Sequence, residues 1–348
     1  MERYSRESAI HFFDPEKWNL HALGQLADAR RREVSGDAVF YNVNLHINLT
    51  NVCKYRCGLC AFSCDAHQSR AYRLSVEEVL KKVEQASREK CTEVHIVSGV
   101  DPSISWKWYV DVVRQVHVAF PKLKIKAFTA VEIAWMAEES GQDVTEILEE
   151  LKSVGLETIP GGGAEILVDS VREKICAKKP MSEVWLDVHR KAHQLGIPST
   201  ATILYGHVER MCDRVDHLLK LRDLQDETGG FMAFVPLAFH PKNTALADRV
   251  KESPSAEEDL RMVAAARLIL DNIPHIKAYW ISLGVRTAQV ALAYGADDLD
   301  GTVRQEKIHH DAGSDTPEFL SVEEIRRLIK EAGRRPVQRN SVYRSLES

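Results

Sequence analysis

Three cysteines, Cys53, Cys57 and Cys60, fall in a C-x3-C-x2-C spacing within the run NLTNVCKYRCGLCAFSCD. Thiolates this close together serve a metal centre. A 4Fe-4S cluster fits the spacing, because it takes one thiolate per iron and one short loop can wrap the cube. Three ligands leave one iron open, which describes a reactive centre rather than an electron wire. The alternative for the same residues is a structural zinc site with Cys64 as fourth thiolate, although such sites usually pair two cysteine hairpins lying further apart.

A second candidate is the run Pro160-Gly161-Gly162-Gly163-Ala164-Glu165. Successive glycines let backbone approach a ligand closely, and the Glu165 carboxylate can accept hydrogen bonds from two ribose hydroxyls. His207 and His240 each follow an expected strand and can transfer a proton or bind a carboxylate near neutral pH. His46, His95, His117 and His189 read as core or surface residues. Arg172 and Arg286 can pair with an anionic substrate, and each reads equally well as a solvated charge.

The elements that must position these residues follow from periodicity. From Val39 to Thr50 apolar residues alternate with Asn42, Asn44, His46, Asn48 and Thr50, which predicts a strand with one polar face that delivers the cysteines. Asp14-Pro15-Glu16 reads as a helix start, with that helix running to about Arg32, and Ser75 to Glu78 reads as a capping box. Strands EVHIVS, KIKAFT, GLETI, TATILY, FMAFVPL, IKAYWIS and DDLD then alternate with amphipathic helices. About eight strand and helix pairs between residues 43 and 310 predict a parallel (β/α)8 barrel of the TIM type. In such a barrel the functional loops follow the strand ends, and these are the places of the cysteines, Ser98-Gly99, Thr129, the glycine run, His207 and His240. The expected division is an N-terminal helical extension over 1–38, the barrel over 39–312, and a C-terminal helix and tail over 313–348 packed on the barrel.

Composition agrees with a globular enzyme. Of 348 residues 44% are hydrophobic and 28% charged, with a net charge of -5, so no general attraction for nucleic acid or anionic membrane is expected. The start lacks the pattern of a secretory signal, no apolar run approaches the roughly 20 residues that span a bilayer, and a cytoplasmic location is expected. An odd cysteine count, seven, suits reduced thiols rather than structural disulfides.

The cysteine triad resembles that of the radical S-adenosylmethionine superfamily, in which the open iron chelates the amino and carboxylate groups of S-adenosylmethionine and passes it an electron. The segments CGLCAF, AFTAVEI, TIPGGGAEI, ILYGHVE, TGGFMAFVPLAFHP, DNIPHIKAYWISLG and YGADDLDGTVRQEKIHHDAG together resemble the aminodeoxyfutalosine synthase family of the futalosine route to menaquinone. Two places depart from the superfamily's pattern: Leu59 stands where an aromatic usually precedes the third cysteine, and Ser98 and Asp101 stand where relatives often have glycine and histidine. The resemblance implies a radical S-adenosylmethionine barrel with the cluster on Cys53, Cys57 and Cys60. It places S-adenosylmethionine, a consumed cosubstrate, against Phe62, Ser98, Gly99, Thr129, Gly162, Gly163 and Glu165. It further implies that the 5′-deoxyadenosyl radical adds to 3-[(1-carboxyvinyl)oxy]benzoate, with an electron donor such as flavodoxin or ferredoxin. Candidates to hold that acceptor are His207, Arg172, Arg286 and His240. Competing expectations are a sibling that cyclises dehypoxanthine futalosine, one that joins tyrosine to a ribitylaminouracil, and, from another class, an iron-sulfur electron carrier.

Overall fold

In the computed structural model, which describes residues 3–346, a closed parallel barrel surrounds a polar interior. The strands are β1 (Ala38–Asn42), β2 (Asn44–Asn48), β3 (Glu93–Val97), β4 (Lys124–Ala127), β5 (Leu156–Thr158), β6 (Ser199–Tyr205), β7 (Phe231–Ala238), β8 (His275–Ile276), β9 (Asp298–Gly301) and β10 (Arg335–Gln338). Pairing runs β2-β3-β4-β5, β6-β7-β8 and β10-β1-β9, every pair parallel. Single bridges close the gaps: Ile159 to Ser199, Lys277 to Asp298, and Leu45 to Arg304. Taking β1 and β2 as two halves of one run broken at Val43, β2 through β9 make the eight-stranded α/β barrel that the alternation predicts.

The first strand is not continuous, because its two halves have different partners. Phe40 pairs with Asp298 and with Val337, whereas His46 pairs with His95. Its polar face, Asn42, Asn44, His46 and Asn48, is buried in the barrel.

Three further local expectations are corrected. Asp14 does not start the long helix. Its Oδ1 accepts the Glu16 N–H at 2.9 Å in a turn, and the cap is Asn19, whose Oδ1 accepts from His21 and Ala22 ahead of the helix Leu20–Ser35. A separate helix, Arg6–His11, precedes the turn, anchored by the buried Phe12 and Phe13 that follow it. In IKAYWIS only the beginning is strand, and Trp280–Leu283 is a short helix buried on all sides, an environment in which apolar periodicity cannot separate helix from strand. The polar end RRPVQRNSVY contains β10, which the apolar-pattern reading leaves as tail.

The capping box at Ser75 with Glu78 forms as read, and a second one joins Ser321 to Glu324. Both ends of the chain pack on the barrel. The helix Leu20–Ser35 lies on Ala256–Ile269, where Gly24 is required because a Cβ would sit 2.5 Å from the Tyr294 ring, and Arg334 reaches Asp28 at 2.9 Å. Among the described residues no helix is long and apolar enough to cross a membrane.

Candidate active site

A cavity of about 290 Å³ occupies the barrel axis. Cys53, Cys57, Cys60 and Phe62 line one end of it. Their loop is held by backbone: Cys64 N–H donates to Asn51 O at 2.8 Å, Cys53 N–H to Cys64 O at 3.2 Å, Lys54 N–H to Val100 O at 2.8 Å, and Gly58 N–H to Ile175 O at 3.0 Å. Two guanidiniums secure the returning strand of the loop. Arg70 donates to the carbonyls of Ala61, Phe62 and Ser63, and Arg56 also donates to Ser63. The Ser63 N–H points at Cys60 Sγ, 3.4 Å away. Cys64 is fully buried and lies outside the cavity lining, so it does not join the three thiols. Among the described residues no group of three or more His, Cys, Asp or Glu side chains is placed to hold a single metal ion. Three thiols spread over one wall suit a cube better than one ion.

The next strand exits bring in the other expected residues. Ser98, Gly99, Thr129, Gly162, Gly163 and Glu165 all line the cavity. Gly99 is obligatory, because a Cβ there would lie 2.3 Å from Val52 O, and Gly163 sits at φ +83. Ser98 lines the cavity, and its Oγ is buried beside the Tyr109 hydroxyl. Glu132, which the strand-end reading places beside Thr129 at the same exit without a role, ties two strand exits together. Its carboxylate accepts from Ser98 N–H at 2.8 Å, Thr129 N–H at 2.8 Å and Thr129 Oγ1 at 2.6 Å. Burial nonetheless pushes Glu132 up to about 7. Glu165 is half-buried at φ +44 and forms an ion pair with Lys179, a cavity residue with no sequence signal of its own. Burial raises Glu165, but the Lys179 ammonium and then Arg172 outweigh it and hold the carboxylate below its ordinary value.

Of the four acceptor candidates only His240 lines the cavity, with Nε2 2.9 Å from Ser282 O. Arg172 is a prop for the glycine loop. Its buried guanidinium donates to the carbonyls of Gly163, Ala164, Ile166 and Pro180, groups that a turning backbone leaves without strand partners. His207 is also structural, with Nε2 3.0 Å from Leu204 O and Nδ1 2.8 Å from Glu209, its side chain fully buried. Arg286 is exposed on the helix Val285–Ala291, away from the cavity.

The inner end of the cavity carries groups the sequence reading did not assign. His46, Glu93, His95, Lys126, Lys277 and Asp300 project inward from the strands, and Glu306 and His309 close over them from the EKIHHDAG segment. The signal for the lysines was present: KIKAF and IKAYW each set a lysine, Lys126 and Lys277, between apolar neighbours. Of the acidic GADDLDGT run only Asp300 faces the cavity. Asp297 pairs with Arg267 at 2.7 Å and Asp298 with Arg339 at 2.6 Å.

The sequence pattern of the Radical SAM superfamily matches residues 47–221, the part of the chain that carries the cysteine loop and the glycine run. The chain belongs to the radical S-adenosylmethionine superfamily. Residues 228–348 match the CofH/MqnC C-terminal region. The chain is 42% identical over 354 residues to the aminodeoxyfutalosine synthase of Streptomyces coelicolor, covering 99% of this chain and 91% of that one. It is also 42% identical over 330 residues to the 5-amino-6-(D-ribitylamino)uracil--L-tyrosine 4-hydroxyphenyl transferase of Archaeoglobus fulgidus, covering 94% and 95%. The crystal structure of methylornithine synthase shares the fold at a TM-score of 0.76 and 18% identity, over 96% of this chain and 94% of that one. This superfamily member is a transferase of the group that holds both named relatives, and it works with a 4Fe-4S cluster and S-adenosylmethionine. Membership sets aside the zinc and electron-carrier alternatives.

Proposed function

We propose that this chain is an aminodeoxyfutalosine synthase, joining the adenosyl carbon of S-adenosylmethionine to 3-[(1-carboxyvinyl)oxy]benzoate to give 6-amino-6-deoxyfutalosine. The observation that carries the reading is the continuity of one cavity from the three cysteines to an inner end bearing two ammonium groups. A dicarboxylate acceptor needs such donors, and an alkyl radical needs enclosure away from water and stray C–H bonds. The GADDLDGT and EKIHHDAG segments support the same choice.

When bound, the cluster on Cys53, Cys57 and Cys60 supplies the electron that cleaves S-adenosylmethionine, itself replenished by a carrier such as flavodoxin or ferredoxin. The chain's own part is binding and orientation. Ser98 Oγ and the Gly99 backbone face the methionine portion, and Lys179 offers a cation for its carboxylate. The second carboxylate oxygen of Glu165 is left to accept from the ribose, Phe62 and Thr129 flank the adenosyl group, and Gly162 and Gly163 let it approach. His240 and His309, rings 5.9 Å apart, border the space between the two substrates. Addition, migration of the aryl group and loss of the carboxyl carbon as bicarbonate are redox-neutral overall, so the starting electron can return.

The equal identity to the hydroxyphenyl transferase keeps one rival reading. Anaerobically reconstituted protein should be given reductant, S-adenosylmethionine labelled in the adenosyl carbons, and either the enol ether or tyrosine with the ribitylaminouracil. The label is expected in 6-amino-6-deoxyfutalosine, with one methionine released per product. Label recovered only in 5′-deoxyadenosine, with hydroxyphenyl transfer in the second mixture, would replace the synthase by its sibling.

A further inference from the structure

Lys126 lies within β4 and Lys277 directly follows β8, the third and seventh of the eight barrel strands counted from β2. Strands four apart in an eight-stranded barrel stand on opposite walls, so the two side chains enter the axis from opposite sides. Both are buried, 5% and 3% exposed, and each has one carboxylate at hand, Glu93 at 3.3 Å and Asp300 at 2.9 Å. An ammonium has three N–H donors, so one such contact leaves donors on each lysine unused.

The register brings more free groups to the same level. His46, His95 and Lys126 are neighbours across β2, β3 and β4, with the two imidazoles 4.5 Å apart. Nε2 of each histidine and Oε2 of Glu93 are buried without partners. Burial pulls both histidines below their ordinary value, so they are neutral and each can present an N–H. Burial also pulls Lys126 down, and the facing Lys277 adds to the pull. On the other side Leu204, Val235 and Leu237 form an apolar wall. Glu93 and Asp300 already offset the two lysines, and Arg339 lies 3.8 Å from Asp300, so recognition here works through spare donors rather than net charge.

We propose that this floor is the seat of an aryl carboxylate: Lys126 and Lys277 close on the ring carboxylate of the acceptor from opposite walls, with His46 and His95 as further donors. The inference rests on the synthase reading and adds an orientation to it. The aromatic ring lies on Leu204, Val235 and Leu237, and the enol ether points back toward Gly162 and the cysteines.

The test is a cycle of substrate and protein deletions on the reconstituted holoenzyme with S-adenosylmethionine. Affinity is measured for the dicarboxylate, for the phenyl analogue lacking the ring carboxylate, and for the analogue lacking the other carboxylate, in wild type, Lys126→Met and Lys277→Met. In wild type, loss of the ring carboxylate should weaken binding about thirtyfold or more, and in either variant by less than about threefold. Loss of the other carboxylate should cost the same in all three proteins, and S-adenosylmethionine affinity should not change. Because Lys126→Met leaves Glu93 unpaired, the wild-type arm stands by itself: a phenyl analogue that binds wild type as tightly as the dicarboxylate overturns the proposal. So does an equal loss in wild type and both variants. If wild type converts the dicarboxylate to labelled product yet ignores its ring carboxylate, this inference alone falls. If wild type neither binds nor converts it, the synthase reading falls as well.

Discussion

Cys53, Cys57 and Cys60 are separated from Cys64 by direction as much as by sequence, three thiols facing the cavity and one enclosed behind it. Replacing any of the three by alanine is expected to remove the cluster's visible absorbance after reconstitution and abolish reductive cleavage of S-adenosylmethionine. Cys64→Ala should keep both, and full cleavage by Cys57→Ala would sink the assignment. Glu132 makes a different prediction. Burial raises its carboxyl from an ordinary 4.5 to about 7, so between those values the folded protein binds a proton that the unfolded chain has lost. Stability linked to this group is therefore fully present below about 4.5, falls as pH rises toward about 7, and is level above that. Denaturant titrations of wild type and Glu132→Gln should show the variant gaining on wild type across this window. A difference independent of pH would mean that the hydrogen bonds from Ser98 and Thr129 keep Glu132 ionised throughout.

At the scale of elements, the polar C-terminal segment is the least expected part of the fold. β10 adds to the outer edge of β1, and the residue that follows it, Arg339, is fully buried against Asp298, with its guanidinium over the Tyr343 ring at 4.2 Å. Removing one member of such a pair leaves a buried charge uncompensated. Arg339→Met is therefore expected to cost about 3 kcal/mol or more in urea unfolding. A loss below about 1 kcal/mol would show that the segment is an ornament on the barrel. The glycine run is supported in the same manner from its own side, through Arg172 and the Trp185 Nε1–H bond to Gly162 O at 3.3 Å. The glycine loop is thus held from behind by side-chain donors, with the Leu204 N–H bond to Glu165 O at 2.7 Å tying its end to β6.

For the whole molecule, the cluster loop is fastened by backbone bonds and by Arg56 and Arg70, independently of any metal. Removing iron with a chelator should therefore abolish S-adenosylmethionine binding while leaving the far-ultraviolet circular dichroism and a single cooperative unfolding transition. The N-terminal helix on Ala256–Ile269, and β10 on β1, join both chain ends to the barrel. Two separated transitions, or collapse of the dichroism on chelation, would contradict that unity.

The barrel and its cluster were legible in the chain because both are local signals. Strand and helix alternate with distinct periods, and the cysteines sit within one loop. The strand-end rule likewise found Ser98, Gly99, Thr129, Glu165 and His240, since a residue at a strand exit needs no knowledge of distant partners to be placed at the active end. Arg172, His207 and Arg286 show where that reasoning stops. A cation or imidazole beside the site is equally able to face the ligand or the backbone, and here the unpaired carbonyls of the glycine loop and of Leu204 took the first two. Lys126 and Lys277 lie 151 positions apart in sequence and meet only because barrel closure sets their strands on opposite walls. Which polar residues of an inward strand face become neighbours is decided by closure and register, and so by the tertiary structure alone.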